Sequence, residues 1–187
     1  MRSVTISDLY AFMVYCKEEL KNNTATRARK TSTLRIFFKY MSVQTHQIPA
    51  NPAELLESPK VKQSLPKHLT LENSLELLNS VDGANERRDY CILTLFLNCG
   101  LRLSELCGLN ISDISSDGIM TVTGKGNKER AVYLNDSCLS AVKAYLAVRP
   151  NEGIVATDRN ALFISRNHRR ISPKTVQHIV KTYLKKA

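Results

Sequence analysis

Apolar residues recur at intervals of three and four along the first forty residues, a pattern that predicts two amphipathic helices. Thr5, with Asp8 three residues later, is typical of a capped helix start. The first helix then carries an apolar face of Leu9, Phe12, Met13 and Cys16. After a polar break at 21–24, a second helix is expected to run to about Met41. Its apolar stripe, predicted to lie in the core, consists of Leu34, Phe37, Phe38 and Met41.

A stretch rich in proline follows these helices. Four of the six prolines lie within residues 47–67, and the last ten residues of that stretch include three lysines. Proline disfavours helix in the residue before it and keeps a chain extended. We therefore expect a helical domain over residues 1–47, an extended basic linker over 48–67, and a second domain over 68–187.

In the second domain, the helical period is interrupted once by alternating apolar residues. Residues 118–123 and 130–134 have the pattern of strands and are joined by Gly124-Lys-Gly-Asn-Lys128, which predicts a β-hairpin. Another short strand is expected over 162–165. The predicted helices of this domain cover 71–78, 85–98, 103–109, 136–147 and 173 to the end. Thr70 and Ser172 are the expected caps of the first and the last of them. The predicted fold class is mainly α with a small β-hairpin.

Composition limits the kind of protein this is. Of the 187 residues, 43% are hydrophobic, which is enough for a buried core. No apolar run is long enough to cross a membrane, and the first residues lack the apolar run of a signal peptide, so we expect a cytoplasmic protein without a membrane partner. The five cysteines form no Cys-x-x-Cys pair, which argues against a zinc site and favours small core residues. No metal site is expected.

The net charge of +10 indicates a polyanionic partner, although a well-solvated basic surface explains the charge equally well. The second predicted helix gives a more specific signal, because no acidic residue occurs between Glu19 and Glu54. Basic side chains mixed with small hydroxyl residues suit a helix that lies against phosphates. The candidate DNA-binding residues of this helix are Arg27, Arg29, Lys30, Arg35 and Lys39.

Two further motifs carry candidate chemistry. In Gly100-Leu-Arg-Leu-Ser-Glu-Leu106 a helix restarts after a glycine turn, so that Glu105 lies on the helical face of Arg102 and can orient its guanidinium. In the hairpin, glycines permit close approach of a ligand, and Lys125, Lys128 and Arg130 can reach phosphate. Each motif alone also fits an ordinary surface Arg–Glu pair or a turn with solvated lysines.

Together, GLRLSELCGLNISDI and TVTGKGNKERAVYL resemble the tyrosine recombinase, or phage integrase, family, most closely its Xer-like members. SVTISDLY, TATRARKTSTLRIFFKYM, NPAELLESPK and SLPKHLT resemble that family's helical, SAM-like core-binding domain and the junction that follows it. LFISRNHRRISPKTVQHIVKTYL resembles the segment that precedes the rest of the active site. The similarity covers nearly the whole chain and implies a core-binding domain plus the N-terminal part of a catalytic domain.

The resemblance also implies a chemistry. Members of the family clamp duplex DNA, act as tetramers with other protomers, and cut one strand through a tyrosyl 3′-phosphate without a metal or nucleotide cofactor. By this resemblance Arg102 holds the scissile phosphate, Lys125 protonates the leaving 5′-oxygen, and Glu105 supports Arg102. No cofactor is expected.

Part of the family's machinery has no counterpart in these residues. The sequence contains no His-x-x-Arg motif, and Tyr183 precedes the place where that motif is expected, so it is rejected as the nucleophile. The chain is expected to be a recombinase fragment, trimmed at both ends. Two alternatives stay open: a non-catalytic DNA-binding regulator of recombination sites, and a helical interaction protein whose basicity is incidental.

Overall fold

The computed structural model describes residues 4–62 and 68–187. The chain divides into two compact units, Met1–Lys67 and His68–Ala187. Each unit has its own core.

Over the described residues 4–62, the first unit contains two α-helices, α1 (Ile6–Glu18) and α2 (Thr24–Lys39). The predicted cap at Thr5 is confirmed: its hydroxyl accepts the N–H of Asp8, and the carboxylate of Asp8 accepts the N–H of Thr5 at 2.8 Å. Asn23 caps α2 in the same way, accepting the N–H of Thr26 at 2.8 Å. After Lys39 the chain makes a π-helical turn at Tyr40–Gln44, which replaces the end of the predicted helix.

The core of the first unit is small and differs from the predicted one. Leu9, Ala53 and Leu56 are buried, with Met13, Leu34 and Phe38 packed against them. The core prediction was wrong for Phe37, which is 51% exposed, and Phe12 on the apolar face of α1 is 39% exposed. Phe12 lies at the surface, where the ammonium group of Lys30 on α2 is 5.5 Å from its ring centroid. Phe37 packs edge-on against Phe38 at the surface.

The first part of the predicted linker is folded. Ala53 and Leu56 are fully buried in this core, so this part of the chain is not the extended linker that was predicted. The side chain of Asn51 accepts the N–H of Ala53 at 2.9 Å, and the N–H of Leu56 donates to the Ala53 carbonyl. The prolines of this stretch therefore accompany turns that return the chain to α1, and sequence alone did not separate turn from linker. Residues 63–67 of the predicted linker lie outside the described residues.

The second unit contains five helices, α3 (Leu71–Asn79), α4 (Glu86–Cys99), α5 (Leu103–Gly108), α6 (Asp136–Leu146) and α7 (Pro173–Tyr183). The two antiparallel strands β1 (Ile119–Thr123) and β2 (Glu129–Tyr133) form the predicted hairpin. Ser172 caps α7 as expected. Mainly helical structure with one small sheet is confirmed. The expected strand at 162–165 is reduced to an isolated bridge between Ile164 and Arg170.

Helix α4 runs through the core of the second unit. It is buried from Cys91 to Leu95 and packs on α6, whose Cys138, Val142 and Tyr145 face it. Burial of each large side chain contributes roughly 1.5–3 kcal/mol, and this core therefore fixes the position of the turn that follows α4.

The cysteines lie in these cores, as predicted. Cys16, Cys91, Cys107 and Cys138 are buried, and burial raises the pKa of Cys99 to about 12. Among residues 4–62 and 68–187, no cluster of three or more His, Cys, Asp or Glu side chains is arranged to hold a metal ion. The same residues include no helix with the length and apolar character needed to cross a membrane.

Candidate active site and DNA interface

The turn between α4 and α5 places Arg102. Helix α4 ends at Gly100, whose φ of +57° lies in the left-handed region that glycine adopts without strain. Leu101 is buried and anchors the turn, after which Arg102 begins α5 with its side chain 72% exposed. The guanidinium of Arg102 is therefore held at the surface by a short, well-packed connection.

Glu105 is the centre of the site. Its side chain is 1% exposed, and its Oε1 accepts a hydrogen bond from Arg102 Nη1 at 2.7 Å, while Oε2 accepts the Arg102 backbone N–H at 2.8 Å. The predicted contact between Arg102 and Glu105 is thus present. A second cation completes the cluster: Arg130 donates from Nη1 to Oε1 and from Nη2 to Oε2, both at 2.9 Å.

Electrostatics keep this carboxylate ionised. The hydrogen bonds from Arg130 and from the backbone N–H of Arg102 hold the pKa of Glu105 well below its usual range, against the opposing effect of burial. The same pairing raises the pKa of Arg130. Two guanidinium groups around one carboxylate leave a net charge of +1, which is available to an anion that approaches from the exposed side of Arg102.

The hairpin begins against this cluster. A Cβ atom added at Gly124 would lie 3.3 Å from Glu105 Oε1, closer than most Cβ contacts in proteins, and 4.0 Å from Arg102 Nη1, an ordinary contact distance. Glycine at this position leaves room for the Glu105 carboxylate. The positive φ angles of the turn occur instead at Gly126 and Asn127. The next residue, Lys125, is exposed. The fold thus brings the two predicted motifs together.

Arg170 fixes the other end of α5. Its Nη1 donates to the carbonyls of Cys107, Gly108 and Leu109 at 2.8–3.2 Å, and its Nη2 donates to Asn110 Oδ1 at 2.6 Å. The last carbonyls of a helix lack partners inside the helix, and a cation there is favourable. In the sequence, Arg170 follows His168 by two positions rather than the three of His-x-x-Arg, and no local pattern marks its long-range contacts.

The five candidate DNA-binding residues of α2 do not share one environment. Arg29, Arg35 and Lys39 lie on one face with Ser32, at spacings of three and four residues; Arg29 and Lys39 are exposed and Arg35 is half-buried.

The other two cations of α2 differ. Lys30 points to α1, where its Nζ donates to Cys16 Sγ at 3.5 Å. Arg27 is half-buried on the face of Thr31 and Leu34, which is directed to the core.

A second basic surface was missed in the sequence. From residue 159 to the end there are eight Lys and Arg and no Asp or Glu, the same signal that marked α2. Arg166, Arg169, Lys174 and His178 are exposed around the start of α7. They line a surface cavity of about 830 Å³.

The tyrosines of the second unit occupy structural positions or open surface. Tyr183 is 6% exposed, and its hydroxyl donates to the Asp82 carbonyl at 3.0 Å. Burial and the nearby Asp89 carboxylate raise its pKa. Tyr145 is buried and accepts the N–H of Ile164 at 3.0 Å, whereas Tyr133 is 79% exposed on β2. Tyr183 is therefore a core residue of the second unit, with its hydroxyl hydrogen-bonded to Asp82 and Asp89.

Comparison with known proteins identifies the family. The profile of the Phage integrase family matches residues 67–187. The tyrosine recombinase XerC of Caldanaerobacter subterraneus subsp. tengcongensis is 50% identical over 187 residues, which are 100% of this chain and 52% of that protein. XerC of Thermodesulfovibrio yellowstonii is 42% identical over 86% of this chain and 55% of its own length. The chain thus spans about half the length of these curated relatives.

Solved structures share the fold. The Tn1549 transposon integrase in complex with circular intermediate DNA has a TM-score of 0.73 and 21% identity, over 99% of this chain and 66% of that one. A lambda integrase dimer bound to a COC′ core site has a TM-score of 0.75 and 18% identity, again over 99% and 66%. The profile match, the curated relatives and the Arg102 and hairpin motifs agree: the chain belongs to the phage integrase family of tyrosine recombinases.

Proposed function

We propose that this protein binds duplex DNA and takes part in site-specific strand cleavage and rejoining, with Arg102 holding the scissile phosphate and Lys125 acting as the general acid. One observation carries the proposal. Arg102 is 72% exposed yet fixed by Glu105, directly beside the start of the hairpin that carries Lys125.

The proposed chemistry uses the hydrogen-bond donors of Arg102 that are not bonded to Glu105, together with the ammonium group of Lys125. Arg102 uses one guanidinium nitrogen on Glu105, so that its other donors can take the non-bridging oxygens of a phosphate as charge develops. Lys125 is exposed, and within the described residues it forms no ion pair. A lysine free of a carboxylate can deliver a proton to a leaving 5′-oxygen. We assign the family's His-x-x-Arg and tyrosine roles to no residue of this sequence.

Two basic surfaces are proposed to hold the DNA backbone. One is the face of α2 that carries Arg29, Arg35 and Lys39; the other is the surface of Arg166, Arg169 and Lys174 at the start of α7. Lys128, at the hairpin tip, is a further candidate. Lysine and arginine contacts to phosphate supply affinity without sequence information.

The partners follow from the same proposal. We infer that the protein acts in the cytoplasm on double-stranded DNA together with other recombinase protomers. Among the relatives of the same fold, a lambda integrase tetramer is bound to a Holliday junction, and the Tn1549 integrase is bound to DNA. No step of the proposed chemistry requires a cofactor.

DNA binding can be tested by fluorescence anisotropy with a labelled duplex between 50 and 200 mM salt. The expected result is a steep fall of affinity with salt, because each neutralised phosphate releases counterions. The double variant Arg29→Ala, Lys39→Ala is expected to reduce the slope of log K against log salt by about two. The matched control Lys17→Ala, Lys143→Ala removes the same charge from residues outside both surfaces.

Cleavage can be tested with a version of the protein that also carries the family's His-x-x-Arg and tyrosine motifs. Arg102→Lys keeps the charge but loses the fork that binds two oxygens, so we expect cleavage to fall by roughly a hundredfold or more. Lys125→Ala is expected to spare DNA binding and to slow cleavage. Salt-independent binding, or full cleavage by either variant, contradicts the proposal.

A further inference from the structure

The carboxylate of Glu105 has no hydrogen-bonding capacity left. An ionised carboxylate offers about four acceptor positions. Here Oε1 receives Arg102 Nη1 and Arg130 Nη1, and Oε2 receives the Arg102 backbone N–H and Arg130 Nη2. All four distances lie between 2.7 and 2.9 Å.

The two arginines share this carboxylate unequally. Arg130 forms the planar, two-nitrogen pair and is 39% exposed, whereas Arg102 gives one side-chain nitrogen and is 72% exposed. Two-nitrogen pairing is the strongest arrangement of a guanidinium and a carboxylate. Arg130 therefore occupies the favoured geometry and leaves Arg102 with the weaker one.

Arg130 also comes from a different element. It lies on β2 opposite Val122 of β1, five residues after Lys125, while Glu105 lies on α5. The Arg130–Glu105 ion pair thus connects the hairpin directly to α5, whose N-cap residue is Arg102.

We propose that Arg130 is a positioning residue of the recombinase site, which acts through Glu105 and not by contact with DNA. By saturating Glu105 it restricts the Arg102 guanidinium to one hydrogen bond with the carboxylate, so that the remaining guanidinium donors face the scissile phosphate. It also holds the Lys125 hairpin against the same centre. This inference rests on the proposed function for the identity of the bound phosphate, but the arrangement of Arg102 can be measured without it.

Removal of the Arg130 guanidinium has a defined consequence. Glu105 regains two acceptor positions, and Arg102 is the cation nearest to fill them. Arg102 then pairs through two nitrogens and turns away from the solvent side. The net charge of the cluster falls from +1 to zero, and both changes weaken its hold on a phosphate.

The first test is NMR of arginine side chains in the 187-residue chain, with Arg130→Gln, Arg130→Lys and the control Lys143→Gln. Lys143 is an exposed residue of α6 outside the site. We expect Arg130→Gln to shift the guanidinium signals of Arg102 and Arg130→Lys, which keeps the charge and one hydrogen bond, to restore them in part. Unchanged Arg102 signals in Arg130→Gln overturn the inference.

The second test is single-turnover cleavage at saturating protein, in the version that carries the His-x-x-Arg and tyrosine motifs. Arg130→Gln is expected to lower the cleavage rate by about tenfold to a hundredfold, as misplaced groups do, with DNA affinity within about twofold of the parent. Arg130→Lys should recover part of the rate, and Lys143→Gln should match the parent. If Arg130→Gln unfolds, Arg130→Lys is compared with Lys143→Gln and is expected to be slower.

The outcomes separate the two proposals. Loss of DNA affinity with an unchanged rate at saturation makes Arg130 a phosphate contact and overturns the positioning role, and so does an unchanged rate with unchanged affinity. A parent protein that binds but never cleaves DNA overturns the proposed function alone, since the Arg102 signals still report whether Arg130 controls its pairing.

Discussion

Two of the groups of candidate phosphate-binding cations, the one on α2 and the one around Glu105, are held in opposite ways. On α2, none of Arg27, Arg29, Lys30, Arg35 and Lys39 forms an ion pair with a carboxylate in the described residues 4–62. In the Glu105 cluster, Arg102 and Arg130 share one buried carboxylate that receives four hydrogen bonds. One group offers free charge, and the other offers a fixed geometry.

This difference teaches what each group can contribute. Free cations on a helix neutralise phosphates and raise affinity, with a strong dependence on salt. A guanidinium held in one orientation is worth more where charge develops during a reaction, because no reorganisation is needed at that moment. We therefore expect changes on α2 to alter DNA binding, and changes around Glu105 to alter folding and catalysis.

The largest expected effect is the complete absence of a covalent protein–DNA adduct with residues 1–187 alone. The family's nucleophile is a tyrosine, and none of the seven tyrosines of this sequence follows a His-x-x-Arg motif. Tyr183 is buried, and its hydroxyl donates a hydrogen bond to the Asp82 carbonyl. A suicide duplex with a nick beside the scissile phosphate traps any adduct on a denaturing gel. A band that disappears with Tyr183→Phe would show that the nucleophile had been misplaced.

The next effect concerns folding. Glu105→Gln removes the charge that both guanidinium groups surround and places an amide N–H₂ beside one of them. Buried hydrogen bonds to charged groups contribute about 1.5–3 kcal/mol, but Arg102 is largely exposed and can be rehydrated. We expect the free energy of unfolding to fall by about 1–3 kcal/mol in urea titrations followed by circular dichroism. The control Glu129→Gln, an exposed carboxylate on β2, should stay within about 0.5 kcal/mol of the parent.

A pH titration sharpens the same point. Because the Arg130 and Arg102 hydrogen bonds lower the pKa of Glu105 in the folded state, the unfolded chain takes up a proton first as the pH falls. The stability that Glu105 contributes is full above its ordinary pKa of 4.5 and is lost as the pH falls below that value. The difference in unfolding free energy between the parent and Glu105→Gln should therefore shrink below about pH 4.5. A difference that stays constant from pH 7 to pH 3 contradicts the role of the ionised carboxylate.

Asp89, the other buried carboxyl group with a shifted pKa, does not disturb that comparison. Burial raises the pKa of Asp89, so its contribution has the opposite sign: it is present at low pH and is lost as the pH rises. Both proteins in the comparison contain Asp89, and its contribution cancels in their difference.

Sequence predicted the second unit better than the first, for a physical reason. The 22 buried residues of its core produce strong helical and alternating patterns, and the caps at Thr70 and Ser172 mark helix starts. Among residues 4–62 of the first unit, three buried apolar residues form the core. Apolar positions such as Phe37 therefore lie outside it, although their sequence pattern is the same.

The contacts of the candidate site were likewise predicted only in part. The Arg102–Glu105 contact follows from spacing within one helix, and it was predicted. The contacts of Arg130 with Glu105 and of Arg170 with the end of α5 join residues 25 and more than 60 positions apart. No local rule connects such positions, so these contacts required the fold.

The smallest expected effect lies within α2 itself, where two neighbouring cations should differ. Arg29 is exposed, whereas Lys30 donates to Cys16 and lies over the Phe12 ring. Arg29→Ala should reduce the slope of log K against log salt by about 0.9, the value for one phosphate contact. Lys30→Ala should change that slope by less than half as much and should instead lower stability by about 0.5–1 kcal/mol, the usual size of an exposed cation–π contact. Anisotropy titrations measure the first quantity and thermal melts the second. Equal salt slopes for the two variants would mean that Lys30 leaves α1 when DNA binds, and the distinction between free and held cations would then fail on this helix.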